Sequence, residues 1–298
     1  MIILETHKIN GEIERQRLSD YLVGKLKAIP TRKGVKKAIE KGQILLNGNK
    51  GKTGDWVKPD DLIELLDIQH QAPKEYRLTL EIVFEDEYLI VVNKPAGISV
   101  SGNQFKTLQN AVIGNAKKSI SDDALPWPKP VHRLDAPTSG LVVFAKTYTT
   151  LIEMGKLFQD RKIEKTYHAI VIGQTEKVGK IDSNIEGLES ETAFKLLELV
   201  PSLRNQHLSL LEVKPKTGRT HQIRIHLAQL GYPIFGDQLY GDDGNVYKGK
   251  GLFLAAVGLQ FIHPISGKIM DLSIPTPNKF QSLLQREARR WKTKYGEN

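Results

Sequence analysis

From Leu80 onward, the chain consists of short runs rich in Val, Ile and Leu that are separated by Gly and Pro, such as "SGLVVFAK" and "HLSLLEVKP". Runs of this length and composition are typical of β-strands joined by turns. Helical spacing of apolar residues appears at "TYTTLIEMGKLFQD" and, near the C-terminus, at "NKFQSLLQREARRWKTK". The pattern predicts an α+β fold dominated by a mixed, mostly antiparallel sheet with flanking helices.

Before this region, the sequence predicts a smaller unit of two helices and short strands. The first helix lies in "RLSDYLVGKLKAI" and has an apolar side at helical spacing. This side consists of Leu18, Tyr21, Leu22 and Leu26. Beyond the second helix, "QILLNG" predicts a strand that enters a tight turn at Asn47-Gly48, and "GDWVKPDDLIELL" predicts its returning strand.

The second helix has a basic face, in a chain whose formal net charge is +9. It lies in "TRKGVKKAIEKG", where Thr31 favours a helix start and Gly42 a helix end. Its inner face is apolar and consists of Val35, Ala38 and Ile39. The opposite face consists of Arg32, Lys33, Lys36 and Lys37. Because a solvated helix usually alternates the signs of its charges, this face predicts contact with the phosphates of a polyanion.

A stretch without periodicity separates the two regions. Residues 67–79 are mostly polar and include a proline, which is typical of a linker. We therefore predict an N-terminal domain over residues 1–70, a linker over 71–79 and a second domain over 80–298. The helices, strands and basic face of the first domain resemble the S4 RNA-binding domain over roughly residues 15–66, although Asp60-Asp61 stands where that family usually has Gly-Asp.

Composition and spacing exclude several chemistries. The chain has no cysteine, so disulfides, thiolate nucleophiles and cysteine-bound metals are excluded. His221 and His226 are too far apart in register to share one helix face as zinc ligands, and Ser139 lacks the Gly-x-Ser-x-Gly context of a hydrolase nucleophile. We find no apolar run long enough for a membrane span and no apolar N-terminal segment of the secretory kind, so we expect a cytoplasmic protein without membrane contact.

Two segments carry candidate functional residues. "VHRLDAPTSGLVVFAK" places Asp135 before a turn, and in isolation this is ordinary turn chemistry. "GRTHQIRIHLAQLGYPIFGDQLYG" predicts a helix that Thr220 caps and Gly231 ends. Its apolar stripe is expected at Ile223, Leu227 and Leu230. Arg224 lies on the shoulder of this stripe, where a half-buried guanidinium requires a carboxylate partner, and Asp135 is the candidate.

Together, these segments resemble a known family. "HRLDAPTSGLVVFAK" resembles the signature of the RluA-type pseudouridine synthases, and "NKPAGISV" and "EKTYHAIVIG" resemble two further motifs of that family. The likeness holds in order and spacing over nearly all of residues 80–275. Among the small departures, Ser101-Gly102 replaces a more usual His-Pro. The resemblance implies an RNA-modifying isomerase that needs neither a metal nor an organic cofactor.

The resemblance also implies roles for single residues. The family converts uridine in RNA to pseudouridine by breaking the bond from ribose C1′ to base N1 and forming one to C5. Asp135 would act at the ribose as nucleophile or base, and Arg224 would keep this carboxylate ionised and oriented. Tyr167 would pack against uracil or help to remove the C5 proton. Arg133 would meet RNA phosphate or fill the gap left by the everted nucleotide, and Ile223 would form an apolar wall.

The choice of RNA and two rival functions stay open. The S4-like domain favours structured ribosomal RNA, above all that of the large subunit, while transfer RNA is the alternative because enzymes for both RNAs share the catalytic motifs. A glycosidase would need a second acid, for which Asp237 is a candidate, although it is more simply a turn former. An RNA-binding protein without catalysis would rely on the basic helix alone. Nothing resembles a dimer interface, so a monomer is expected.

Overall fold

The structure, a computed structural model, describes residues 2–67, 73–241 and 251–296. These residues form two compact units, the first drawn from residues 1–74 and 122–126 and the second from residues 75–121 and 127–298. The predicted linker, 71–79, lies partly outside the described residues. Its later part belongs to the second unit, where the backbone N–H of Tyr76 donates to the carbonyl of Asn110 at 3.1 Å. The three domain ranges stay a prediction.

The first unit combines two helices with a small sheet around one apolar core. Its elements are β1 (Ile2–Lys8), α1 (Leu18–Tyr21), α2 (Arg32–Glu40), β2 (Ile44–Leu46), β3 (Asn49–Lys50) and β4 (Leu62–Asp67). The strand order is β1-β4-β2-β3. The predicted apolar sides of both helices are buried in one cluster with Ile44 and Ile63. Hydrophobic burial therefore fixes how the helices lie on this sheet.

Several predicted details of this unit are confirmed. The Thr31 hydroxyl accepts the N–H of Gly34 at 3.1 Å, as an N-terminal cap does. The four cations of α2 are exposed, while the opposite face is buried. Asn47 and Gly48 have φ angles of 52° and 76° and join β2 to β3 as a two-residue hairpin turn.

Other details of the first unit were wrong. The first helix is a single turn, because Gly24 adopts a left-handed φ of 75° and donates to the carbonyl of Pro30 instead of continuing the helix. The predicted returning strand, 54–66, is right only in its second half, where β4 begins at Leu62 and pairs antiparallel with β2; the chain that directly follows the turn forms the short β3. Before β4, Pro59 lacks an N–H and Asp60 has a φ of 67°, which interrupts the extended backbone. Strand β1 was not predicted.

The remaining elements contain the large sheet and four helices within the described residues. The strands are β5 (Glu81–Glu85), β6 (Leu89–Lys94), β7 (Ala124–Pro130), β8 (Ser139–Thr147), β9 (Glu164–Ile172), β10 (Val178–Ile181), β11 (Thr192–Ser202), β12 (Gln206–Pro215), β13 (Leu254–Ile262) and β14 (Ile269–Ser273). The helices are α3 (Leu108–Val112), α4 (Tyr148–Gln159), α5 (Gln222–Gln229) and α6 (Asn278–Tyr295). The two helices predicted from their periodicity, α4 and α6, are confirmed.

The main path of the sheet runs β10-β11-β12-β9-β13-β8-β6-β5, and β14 pairs with β13. Within the described residues, the registered pairs of this path are antiparallel apart from β13 and β8, which are parallel. The predicted mixed, mostly antiparallel α+β fold is therefore confirmed. None of the helices in the described ranges has the length and apolar composition needed to cross a membrane.

The parallel pair is the seam between the two halves of the sheet. Ala256 of β13 pairs with Gly140 of β8 on one side and with Tyr167 of β9 on the other. Gly140 has a φ of 118°, and a Cβ there would overlap the backbone of Ala256, so this close approach requires glycine. The loop that precedes β8 is thereby brought beside the strand that carries Tyr167.

Candidate active site

The loop from β7 to β8 places Asp135 at the edge of the seam. Its backbone carbonyl accepts the N–H of Thr138 at 3.0 Å, which makes the predicted turn. Leu134 is buried in the core, whereas Arg133 is exposed and the side chain of Asp135 is 18% exposed. The burial of Leu134 fixes the loop, so that the carboxylate of Asp135 is held at a set place with an opening towards solvent.

The buried side chain of Lys94 also holds the loop that carries Asp135. The side chain of Lys94, at the end of β6, is fully buried, and its ammonium donates to the carbonyls of Pro95, Ile98 and Ala136 at 2.8 to 3.0 Å. Burial lowers the pKa of Lys94 to about 8, and the nearby charge of Asp135 partly opposes this shift. Sequence reasoning missed Lys94, because its role depends on carbonyls that only the folded loops bring together.

Helix α5 begins differently from the prediction. Thr220 is exposed and does not cap the helix. Instead, His221 occupies the N-cap position with a left-handed backbone (φ 56°, ψ 19°). The next residue, Gln222, is buried, accepts from the Thr217 hydroxyl at 2.7 Å and from the Arg219 N–H at 3.0 Å, and so fixes the loop before the helix. Leu230 is 45% exposed, so the buried stripe of α5 contains Ile223 and Leu227 without Leu230.

Arg224 contacts two carboxylates with unequal geometry. Its Nε and one terminal nitrogen donate to the two oxygens of Asp237, both at 2.7 Å. Its other terminal nitrogen lies 3.4 Å from Oδ2 of Asp135. The predicted contact between Asp135 and Arg224 is therefore present, but Asp237, which was considered only as a turn former or second acid, is the bidentate partner.

The ion pair between Arg224 and Asp237 is buried, since their side chains are 4% and 0% exposed. Burial alone would raise the pKa of Asp237, but the hydrogen bonds from Arg224 outweigh it and lower that pKa. In the same way, the hydrogen bonds and charge of Asp237 outweigh desolvation and raise the pKa of Arg224. Both groups therefore stay charged at neutral pH.

His221 is a further neighbour of Asp135 to which the sequence gave no role. Its Nε2 lies 3.7 Å from Oδ2 of Asp135, and its Nδ1 lies 2.9 Å from the hydroxyl of Tyr240. Tyr240 in turn donates its backbone N–H to Asp237 at 3.2 Å and lies with its ring 5.1 Å from the guanidinium carbon of Arg224. The segment from Asp237 to Tyr240 thus supports both neighbours of Asp135.

Asp135, His221 and Arg224 line one cavity of about 280 Å³, which is near the small end of the range for small-molecule sites, ~300–1,000 Å³. Five predicted residues line it: Arg133, Asp135, Tyr167, Ile223 and Arg224. Burial, and next the negative charge of Asp135, raises the pKa of Tyr167, so the phenol stays protonated at neutral pH. Lys165 also lines the cavity and donates to the carbonyl of Thr217 at 2.9 Å.

The other predicted contact residues lie in the first unit, on the exposed face of α2. They are Arg32, Lys33, Lys36 and Lys37. Arg32 forms an exposed ion pair with Asp20 at 2.7 Å.

Comparisons with known proteins show which proteins this chain is similar to. Residues 88–229 match the family model of RNA pseudouridylate synthase. A protein of Aquifex aeolicus described as an uncharacterized RNA pseudouridine synthase is 33% identical over 95% of this chain and 97% of its own length. The ribosomal large subunit pseudouridine synthase C of Buchnera aphidicola subsp. Schizaphis graminum is 33% identical over 93% of this chain and 95% of its own length.

A solved structure has the same fold. Human RNA pseudouridylate synthase domain containing 1 superposes with a TM-score of 0.56 and 25% identity, over 67% of this chain and 84% of that chain. Together with the close relatives, this likeness decides the family. The chain belongs to the RNA pseudouridine synthases, which are isomerases.

Proposed function

We propose that this chain isomerises uridines of large-subunit ribosomal RNA to pseudouridine, with Asp135 as the group that acts at the ribose. The observation that supports the proposal is the convergence of Asp135, Tyr167 and Arg224 on one cavity that is open to solvent. Three segments distant in sequence supply these groups, so their meeting is a property of the fold.

Asp135 has the surroundings that such a role requires. A carboxylate acts at the ribose only while it is ionised. Arg224 supplies a positive charge at 3.4 Å, and Asp237 holds the other side of that guanidinium, so the charge is fixed in place. Because Asp237 takes the two short hydrogen bonds, Asp135 keeps lone pairs for the substrate.

The walls of the cavity suit a uracil base. Tyr167 offers an aromatic face, and stacking on such a face contributes ~1–3 kcal/mol per base. Ile223 adds an apolar wall and is 6% exposed. A uridine inside a helix hides its C1′, so the target nucleotide must be everted, at a cost of a few kcal/mol. Arg133 is exposed and lines the cavity, so it can bind a flanking phosphate or fill the gap that the everted nucleotide leaves in the RNA.

The preference for ribosomal RNA rests on the relatives and on the first unit. The Buchnera relative is named for the large ribosomal subunit. The exposed basic face of α2, in a unit that we infer to be an S4-like RNA-binding domain, fits the backbone of a structured RNA. Mapping pseudouridines in cells with and without this protein tests the preference, because sites in transfer RNA alone would identify the other substrate class.

A hydrolase that cleaves the same glycosidic bond fits the site less well. It needs a second carboxyl group that donates a proton to the leaving group. The candidate Asp237 is fully buried, is paired with Arg224 and has a lowered pKa, so it holds no proton to donate at neutral pH. A hydrolase would release free uracil from the RNA, whereas an isomerase releases none.

Replacement of Asp135 tests the proposed role directly. With RNA tritiated at uracil C5, we expect the wild type to release tritium and Asp135→Asn to lower the rate about a thousandfold or more, because the carboxylate is lost. Binding of the same RNA should change less than about threefold, since the basic surface is intact. The matched control is Asp160→Asn, at an exposed carboxylate after α4. An Asp135→Asn variant with wild-type turnover would disprove the assignment.

A further inference from the structure

The C-terminal helix α6 borders a basic groove that is separate from the Asp135 cavity. The groove has a volume of about 510 Å³. It is lined by Leu203, Arg286, Arg289, Arg290, Thr293 and Lys294, which we call the α6 groove. None of these described residues lines the Asp135 cavity. The proposed reaction at Asp135 makes no use of them.

The buried carboxylate of Glu287 holds together the two elements that form the groove. Glu287 lies on the inner side of α6 with Phe280, Leu283 and Leu284 and is only 7% exposed. One of its oxygens accepts the hydroxyl of Ser202, at the end of β11, at 2.8 Å. This bond fixes the hairpin that follows β11 beside the helix, and the groove runs between the two elements.

The other oxygen of Glu287 orients two arginines. It lies 3.4 Å from a terminal nitrogen of Arg290 and 3.6 Å from Nε of Arg286. The guanidinium of Arg290 stays largely open to solvent, since its side chain is 61% exposed. Glu287 therefore holds one nitrogen of each guanidinium, while both side chains stay partly open to a ligand, with 61% of Arg290 and 37% of Arg286 exposed.

The exposed charges of the groove all have one sign. Four cations line it, and the single acidic residue between Arg286 and Lys294 in the sequence, Glu287, is buried. A basic last turn stabilises a helix through its dipole, but Arg286 and Arg289 lie before the last turn of α6. The rings of Trp291 and Tyr295, 4.6 Å apart, lie outside the groove lining but between and beside these cations in the sequence. Basic side chains interleaved with aromatic ones are typical of surfaces that bind nucleic acids.

We propose that the α6 groove binds the phosphodiester backbone of the substrate RNA at a distance from the uridine that reacts. The inference rests on the proposed function, because it takes the RNA as the polyanion. Guanidinium groups match phosphate oxygens with two parallel hydrogen bonds, so a run of three arginines suits consecutive phosphates better than scattered carboxylates of a protein. Such a contact positions a long RNA without recognising its base sequence.

The test uses the full chain with Arg289→Gln and Lys294→Gln combined, which leaves Arg290 and its pair with Glu287 intact. The control removes the same charge elsewhere, at the exposed Lys118 and Lys268, both changed to Gln. With a long transcript of large-subunit ribosomal RNA, we expect the groove variant to raise KM about tenfold with kcat unchanged. We also expect the slope of log Kd against log salt concentration to fall by about 1.5, and the control to change neither value.

Further variants and ligands separate the possible outcomes. Exchanging the two side chains, Arg289→Lys with Lys294→Arg, keeps both charges and should restore the salt slope even if the Gln variant is less stable. Equal KM and slope for the groove and control variants would refute the inference. An equal loss of affinity for polyglutamate would refute it as well, because the groove would then bind any polyanion. If the wild type releases no tritium from ribosomal RNA, the proposed function fails, while the binding measurements still test the groove.

Discussion

At the scale of single residues, the asymmetry around Arg224 decides how the proposed site works. Two hydrogen bonds of 2.7 Å fix the guanidinium to Asp237, and a longer contact of 3.4 Å reaches Asp135. A carboxylate that shared its charge equally with the guanidinium would be less available to a substrate. The arrangement thus separates two tasks, because Asp237 holds the cation and Asp135 stays free to act.

Asp237→Asn tests this division. The amide keeps the volume but lacks the charge, so Arg224 should turn towards its one remaining carboxylate, Asp135. We expect kcat for tritium release to fall about a hundredfold with KM nearly unchanged. The free energy of unfolding should fall by about 3 kcal/mol, since a buried guanidinium loses its charged partner. Kinetics and urea unfolding measure both effects.

Two comparisons keep that test specific. Asp182→Asn, at an exposed acidic residue of the same unit, should change neither quantity. A variant of Asp237 that is less stable yet keeps a wild-type kcat would show that this residue supports only the fold.

The same residues show what a sequence pattern reveals about a site. The contact of Asp135 with Arg224 was predicted, because a half-buried guanidinium needs a carboxylate. Asp237 was predicted as a turn former, and it does accept the backbone N–H groups of Leu239 and Tyr240. Its second role, as the partner of Arg224, leaves no local pattern. The three carbonyls around Lys94 are likewise brought together only by tertiary structure.

At the scale of elements, spacing predicted the type of most helices and strands but only some of their ends, such as the start of α2 after Thr31. Helices α4 and α6 and the basic helix α2 follow from apolar periodicity, which depends only on which face is buried. The start of α5 does not follow from its sequence pattern, because His221, in a left-handed conformation, occupies the N-cap position expected for Thr220. The His221 side chain does not cap α5, and the Gln222 side chain instead accepts two hydrogen bonds from the loop before the helix. These bonds are visible only once the loop is folded.

The seam between β8 and β13 carries a prediction at this scale. Gly140→Ala adds a Cβ that would overlap the backbone oxygen of Ala256 and lie 2.6 Å from its nitrogen, at a φ of 118°. We expect the free energy of unfolding to fall by about 3–5 kcal/mol, because strain adds to overpacking. Thermal and urea unfolding measure the loss.

The control for the seam is another glycine of the same unit. Gly155 lies in α4, is exposed and has nothing within 4 Å of an added Cβ. Gly155→Ala should therefore stabilise the protein by about 0.5–1 kcal/mol through helix propensity. If both glycine variants shifted stability alike, the seam would not require glycine.

At the scale of the whole molecule, exposed positive charge favours binding of a polyanion, whereas buried basic groups make stability depend on pH. The formal net charge of +9 favours a polyanionic partner, and α2 and α6 each carry exposed cations that contribute to the positive field. Inside the second unit, burial works against positive charge, as the lowered pKa values of Lys94 and Lys165, both about 8, show. Stability should therefore depend on pH through buried bases, separately from RNA binding.

His132 is the base for which we expect the clearest effect of pH on stability. Its Nε2 accepts the backbone N–H of Val143 at 3.0 Å, and its ring stacks on Phe158 with 4.7 Å between the ring centres, so protonation would break a partly buried hydrogen bond. Burial, and next the charge of Lys165, lowers the pKa of His132 to about 3. Between that value and the unfolded pKa of about 6.5, the unfolded state binds one more proton, so stability falls as pH falls through this window.

From pH 7 to pH 5, His132 should lower the free energy of unfolding by about 2 kcal/mol. His132→Gln keeps an oxygen that can accept the Val143 N–H but does not titrate. The difference between the free energies of unfolding at pH 7 and pH 5, measured with urea, should therefore be smaller by about 2 kcal/mol in this variant. If His132→Gln retained the full dependence on pH, the imidazole would already accept a proton in the folded state, and its bond to Val143 would not hold it neutral.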